Sequence, residues 1–230
     1  MVEEFVLKLR IKFSKQGHMR FIGHLDIMRY FQKAIRRAGI DIAYSEGFSP
    51  HQKMSFASPL GVGTESFGEY FDIEANSYES SKEMVRKLNA QMVEGMRVLS
   101  VRLLPEDAKN GMSVIAAADY KIDFEGSFKV TDEQLSGFLN QESITVMKKT
   151  KKSEKEVDIR PLIYGMSNSN GLVMKLSAGS VENLKPELVI NSLFDFLKQD
   201  EIKYYITRME LYADNDGDFI SLEDLGEEIG

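Results

Sequence analysis

From Phe5 to Phe13 the chain alternates between two faces. Phe5, Leu7, Leu9, Ile11 and Phe13 take one face, and Val6, Lys8, Arg10 and Lys12 take the other. A period of two is that of a half-buried strand, and here the outer face is basic. The period then changes. From about His24 to Ala38, the apolar residues Leu25, Met28, Phe31, Ile35 and Ala38 recur at three- and four-residue steps, which predicts a helix with that stripe inward. Arg29, Lys33, Arg36 and Arg37 lie away from the stripe. Asp26 sits in the first turn, where a carboxylate complements the helix dipole and can pair with Arg29. Gly39 is a natural C-terminal stop.

Short strands are expected at Ile40–Tyr44 and Met54–Ala57. Between them lie a turn at Ser45–Gly47 and a loop at Phe48–His51, which Pro50 stiffens. Phe67–Ala75 reads as a strand, Ser80–Glu94 as a helix and Met96–Leu104 as a strand. Strand, helix, broken strand, strand, helix, strand is the ferredoxin-like βαββαβ order. Past Pro105–Ser113 the order starts over. It runs through a strand at Ala118–Phe124, a helix at Thr131–Leu139 with Thr131 as N-cap, and a hairpin of Ser143–Thr150 and Val157–Ile163. A strand at Leu172–Ser177, a helix at Lys185–Lys198 and a strand at Lys203–Tyr212 complete it. The expected architecture is α+β, with two tandem ferredoxin-like units built on antiparallel sheets. Residues 1–105 form the first unit, 106–117 a linker, 118–213 the second unit with its inserted hairpin, and 214–230 an acidic mobile tail.

Charge sharpens this picture. Lys8 to Lys53 carries ten Lys or Arg against three acids, within a chain whose formal net charge is -7. The last 17 residues carry seven acids and no Lys or Arg. Without them the chain is neutral, so the acidic balance does not argue against an anionic partner. The absence of cysteine removes disulfides, thiolate metal sites and cysteine-ligated clusters. No apolar run reaches the roughly 18 residues of a membrane span, and the N-terminus does not read as a targeting peptide. The expected setting is the cytoplasm, with no membrane partner, no cofactor and no DNA.

Basic side chains with interleaved aromatics suit a single-stranded nucleic acid, the cations meeting phosphates and the rings meeting bases. The candidate RNA contacts are Lys8, Arg10, Lys12, Arg20, Arg29, Arg36, Arg37, Tyr44, Phe48, His51 and Lys53, with Lys148, Asp158 and Arg160 added from the second unit. A solvated helix face with a lysine-guarded strand edge is the plainer explanation of the lysines. All three histidines, His18, His24 and His51, fall in the same stretch. They are structural or binding residues on one reading. On a second, His24 and His51 act as acid and base on RNA, with Arg20 stabilising the phosphorane. On a third, His24, Asp26 and His51 hold a metal. Asp214–Glu223 imitates a calcium loop, but the register puts Tyr212 where the first ligand belongs, so an EF-hand is rejected. Gly61-Val62-Gly63 has the spacing of neither a P-loop nor a dinucleotide fingerprint.

The runs RFIGHLD (20–26), AIRRAG (34–39) and YSEGFSPHQKMSFASPL (44–60) resemble the radical-SAM-linked protein family. VGTESFGEYFDIE (62–74) and KEVDIRPLI (155–163) resemble it too. Gln52 stands where that family usually has Pro, and Gly23 where it often has Ser. The resemblance implies a domain encoded beside, or fused to, a B12-binding-type radical SAM protein, and it brings no established catalytic residues. Lacking cysteine, this chain would be the non-redox half of such a pair. The double layout is also similar to CRISPR repeat-processing endoribonucleases, some of which place a catalytic His near the first helix; that is an analogy of fold. The leading expectation is a non-catalytic RNA-binding adaptor that works with a radical SAM partner in RNA modification or processing, tRNA being one candidate. A metal-independent endoribonuclease is the alternative, and a protein–protein adaptor the second alternative.

Overall fold

The computed structural model describes residues 6–149, 154–168 and 171–230. The chain is a mixed α+β protein, rich in strands, with five α-helices among the described residues. It divides into two compact units. The first takes residues 1–116 and 210–230, and the second takes 117–209.

In the first unit the order is β1 (Leu7–Lys15), α1 (His24–Ala38), β2 (Met54–Phe56), β3 (Glu65–Ala75), α2 (Ser81–Asn89), β4 (Met96–Leu103) and a single turn, α3 (Gly111–Val114). The second unit holds β5 (Ile115–Phe124), α4 (Asp132–Leu139), β6 (Thr145–Lys149), β7 (Glu154–Asp158), β8 (Ile163–Ser167), β9 (Leu172–Ser177) and α5 (Pro186–Leu197). Strand β10 (Tyr204–Asn215) supplies both units, and β11 (Asp218–Ser221) returns to the first. The first unit pairs β4-β1-β3, with β2 and β10 also on β3 and β11 on β10. The second pairs β10-β5-β9-β8, and β6–β7 form a separate ladder. Ladders β1–β3, β1–β4, β2–β3, β5–β9 and β8–β9 are antiparallel. Parallel pairing is present as well, so the sheet is mixed where antiparallel sheets were expected. An edge strand presents unpaired N–H and C=O groups, and a further strand can take them in either direction.

The alternation of β1 is physical: Leu9, Ile11 and Phe13 are buried in the core of the first unit. Phe13, Phe31, Phe56 and Phe71 form its aromatic centre, with Phe31–Phe71 centroids 4.6 Å apart. Helix α1 has the expected bounds, and Gly39 closes it at a left-handed φ of 69° that a side chain would resist. Its buried face is Ile27, Phe31, Ala34 and Ile35. Leu25 is 65% exposed, which corrects the expected stripe. Both sets fit a 3.6-residue period, and the sheet beneath selects between them. Thr131 caps α4 in a reciprocal box with Gln134, as expected of an N-cap.

Several expected segments differ. Ile40–Tyr44 holds only isolated bridges at Ile42 and Tyr44, the second helix ends at Asn89 and not Glu94, and the strand expected at Val157–Ile163 is the end of β7, a turn at Arg160–Leu162 and the start of β8. Residues 106–116 are pinned to the first unit: Lys8 Nζ donates to the carbonyls of Glu106 (2.6 Å) and Ala108 (2.9 Å), and Gly111 N–H donates to Asp72 (2.7 Å). The acidic segment expected to be mobile folds back onto the same unit. Asp216-Gly217, both at positive φ, turn the chain, and Tyr212–Asn215 pair with Asp218–Ser221. Farther on, Glu227 bridges Leu103, and Ile229 exchanges hydrogen bonds with Ser81.

Candidate nucleic-acid interface

The basic face of β1 is not open. Arg10 is 1% exposed and lies bidentate on Asp72, with Nε–Oδ1 at 2.8 Å and Nη2–Oδ2 at 2.9 Å. Its remaining N–H groups reach the carbonyls of Leu222 and Lys109. Lys12 sits between Glu210 (2.7 Å) and Glu223 (3.0 Å). Burial by itself would lower the Lys12 pKa, but hydrogen bonds and charge from the two glutamates outweigh it and raise it. Glu223 shows the converse: burial would raise its pKa, and the nearby Ser100 hydroxyl with the bonds from Lys12 and Arg102 hold it below the usual carboxylate range. Lys8 is tied to the two carbonyls already named. The alternation correctly placed these cations opposite the core. It did not reveal that Asp72, Glu210, Glu223 and the carbonyls of Glu106 and Ala108 satisfy them.

The arginines of α1 are different. Arg29, Lys33, Arg36 and Arg37 recur at helical spacing, so they share one side of the helix. All four are exposed. Arg29 holds only the solvent-exposed Asp26, at 3.3 Å, a pair worth about 0–1 kcal/mol. Lys33, Arg36 and Arg37 make no ion pair among the described residues.

A loop stands beside this helix because Gln52 joins them. Gln52 is buried, and its Nε2 donates to the Gln32 carbonyl (3.2 Å) and lies 3.5 Å from the Tyr44 hydroxyl. Tyr44 and Gln52 also form a backbone bridge at the base of the loop. His51 closes the loop: its Nδ1 is 2.7 Å from Ser45 Oγ, and its carbonyl accepts from Ser45 N–H. Phe48 is fully exposed at the loop's tip. Lys53 follows and pairs with Glu74 at 2.6 Å. Arg20 lies apart, bonded to Glu65 at 3.3 Å with its guanidinium 4.8 Å from the Phe21 ring centre.

His24 and His51 are not brought together. His24 begins α1 and lines a small cavity with Phe56, Ser58, Lys15 and Glu69, its ring edge-on to Phe56. Lys15 (2% exposed) and Glu69 (3%) are two buried charges that sequence reasoning missed. Register shifts in β1 at Lys12/Phe13 and Phe13/Lys15 break the alternation and accompany burial of Phe13, Ser14 and Lys15 together. Lys15 Nζ donates to the carbonyls of Ile22 (2.8 Å) and Arg20 (3.3 Å), which shapes the turn before α1. Among the described residues no group of three His, Asp or Glu side chains, His24, Asp26 and His51 included, is placed to hold a metal ion.

Burial lowers the His24 pKa below its ordinary 6.5, and the Lys15 charge adds to this; Glu69 opposes both in part. A folded state that favours neutral His24 gains stability that is complete above 6.5 and is lost as pH falls through the folded pKa. An NMR titration should therefore show His24 titrating below 6.5, and lower still in Glu69→Gln. A His24 midpoint at or above 6.5 would contradict the burial argument.

In the second unit Asp158 Oδ1 accepts from the N–H groups of Ile144 and Arg160, both at 2.9 Å. Arg160 donates to the carbonyls of Leu139 (2.6 Å) and Ile163 (3.3 Å). These two predicted contacts knit α4 to the start of β8. Lys148 lies on β6 opposite Lys155. The turn of that hairpin, residues 150–153, is outside the described residues.

No curated protein matches the chain. A family model described as an uncharacterized protein conserved in bacteria (DUF2344) matches residues 8–186, which take in α1, its loop and most of the second unit. The chain belongs to that family.

Proposed function

We propose that the first unit binds RNA through the exposed side of α1 and the 44–51 loop, and that the protein is a non-catalytic adaptor. One observation carries this reading: Arg36 and Arg37, exposed and without an ion pair among the described residues, share a helix with the carbonyl that Gln52 ties to Tyr44, beside a loop that His51 holds closed with Phe48 at its tip. Cations at helical spacing meet a phosphate backbone, and an exposed ring stacks on an unpaired base of any identity. The resemblance to radical-SAM-linked proteins makes a radical SAM protein the partner, in the cytoplasm, with RNA modification or processing as the task. Exposed Phe21, Ile22 and Leu25, with Val62 on the loop that Gly63 ties to Arg20, supply an apolar face for that partner. Both units are read as ferredoxin-like. The pairing β4-β1-β3-β2 in the first and β10-β5-β9-β8 in the second, each with a helix after its first and third strands, supports this.

Binding of bulk tRNA and of a random single strand, measured at several salt concentrations, tests the reading. Affinity should fall with salt, and Arg36→Ala with Arg37→Ala should flatten the log–log slope by about 0.7 per lost phosphate contact. Phe48→Ala should weaken binding by about 1–3 kcal/mol with the slope unchanged. The RNA should be intact afterwards on a gel. Shortened RNA would replace the adaptor by a nuclease. No binding at low salt would remove RNA and leave a protein–protein adaptor.

A further inference from the structure

A cavity of about 320 Å3 opens in the first unit between β1, β2, β3 and the 104–110 turn. We infer that it binds a nucleoside monophosphate group. Lys8, Lys53 and Lys109 line it together with Asp72 and Glu74. The acids are already taken: Asp72 receives Arg10 at both oxygens, and Glu74 receives Lys53. Lys8 is held by two carbonyls, which orient its ammonium without neutralising it. Lys109 is exposed and makes no ion pair among the described residues. Two cations therefore border the cavity without a carboxylate of their own.

The wall is preformed. Lys8 grips the Glu106 and Ala108 carbonyls, Arg10 reaches the Lys109 carbonyl, and Gly111 N–H sits on Asp72. Asn110 Oδ1 accepts from Ser113 N–H at 3.0 Å, which fixes the plane of its amide. A ligand thus meets an ordered site and pays little to organise it. Compact ammonium groups suit a doubly charged tetrahedral phosphate; a planar carboxylate would favour the arginine fork. Half-buried Met54, with the buried Ile73 and Leu104 behind it, gives the cavity an apolar side for a base and its sugar. Its volume is at the low end of the roughly 300–1,000 Å3 of small-molecule sites, which fits one nucleotide and not a dinucleotide.

The group could be a free nucleotide or the 5′-phosphorylated end of an RNA. The α1 arginines take no part, so this site stands or falls separately from the proposed RNA surface. Calorimetric titration of the full chain with AMP, adenosine and inorganic phosphate tests it, with Lys109→Glu as the variant. That side chain is exposed, so the fold should survive, and circular dichroism checks this. AMP should bind saturably, adenosine should not, and phosphate should bind more weakly. Lys109→Glu should reduce AMP affinity about tenfold or more. A 5′-phosphorylated trinucleotide that displaces AMP, when its 5′-hydroxyl form does not, identifies an RNA end; displacement by mononucleotides alone identifies a free nucleotide. Absence of saturable AMP binding at millimolar concentration, equal binding of adenosine, or an unchanged affinity in folded Lys109→Glu would overturn the inference.

Discussion

Asp72→Ala should destabilise the first unit by about 3–5 kcal/mol, the usual cost of stranding one partner of a buried ion pair. Arg10 is 1% exposed, and without Asp72 its charge would keep only carbonyl partners. The same substitution removes the acceptor that holds Gly111 N–H at 2.7 Å, and so loosens the 106–116 segment at that point. The measurement is urea unfolding, read as a lower midpoint at an unchanged slope. A double replacement, Arg10→Met with Asp72→Leu, should recover most of the loss, because two apolar groups leave no uncompensated charge. A loss below about 1 kcal/mol in Asp72→Ala would put the pair in the class of solvent-screened surface bridges.

Deleting the chain after Asn215 is the second large effect. The segment buries Leu222 completely, worth about 1.5–3 kcal/mol. Among its hydrogen bonds to the body are two between Glu227 and Leu103 and two between Ile229 and Ser81, each contributing about 1 kcal/mol. Lys12 would lose Glu223, and Arg102 would lose both Glu223 and Glu228. The truncated chain should melt well below the full one and be cleaved faster by protease. A dangling acidic tail would leave both readouts unchanged, so the experiment separates a docked strand from a passive one. Glu223→Gln should move the melt in the same direction by less, since its backbone contacts persist.

The regular elements were legible because local patterns suffice for them. Period two in β1, the bounds of α1 with its Gly39 stop, and the Thr131 cap all depend on residues within a turn or two of one another. The docked C-terminus was legible in principle too. Asp216-Gly217 before Asp218–Ser221 is a hairpin signal, set in the same run of acids that imitates a calcium loop. The site was legible only in part. The arginines of α1 are exposed as expected, but Lys8, Arg10 and Lys12 have partners drawn from Glu106, Asp72, Glu210 and Glu223, far away in sequence. Charge pattern shows that a face is polar and cannot show which distant segment will satisfy it.

What the sequence alone determined was most of the long strands and helices in their order, without β8, β11 or the turn that ends β7, together with the stretch that concentrates arginine, aromatic and histidine residues and the exclusion of thiolate chemistry. Tertiary structure decided the rest. It chose between two helical faces of α1 that fit the same period, and exposed Leu25. It buried Lys15 and Glu69 beside His24 where the strand register shifts, and it set His24 and His51 in separate surroundings. It docked the acidic C-terminus so that Glu223 pairs with Lys12 of β1 and with Arg102 of β4. Each of these outcomes depends on long-range pairing, in which the free energy of a charge is fixed by the partner that burial brings to it and not by its neighbours along the chain.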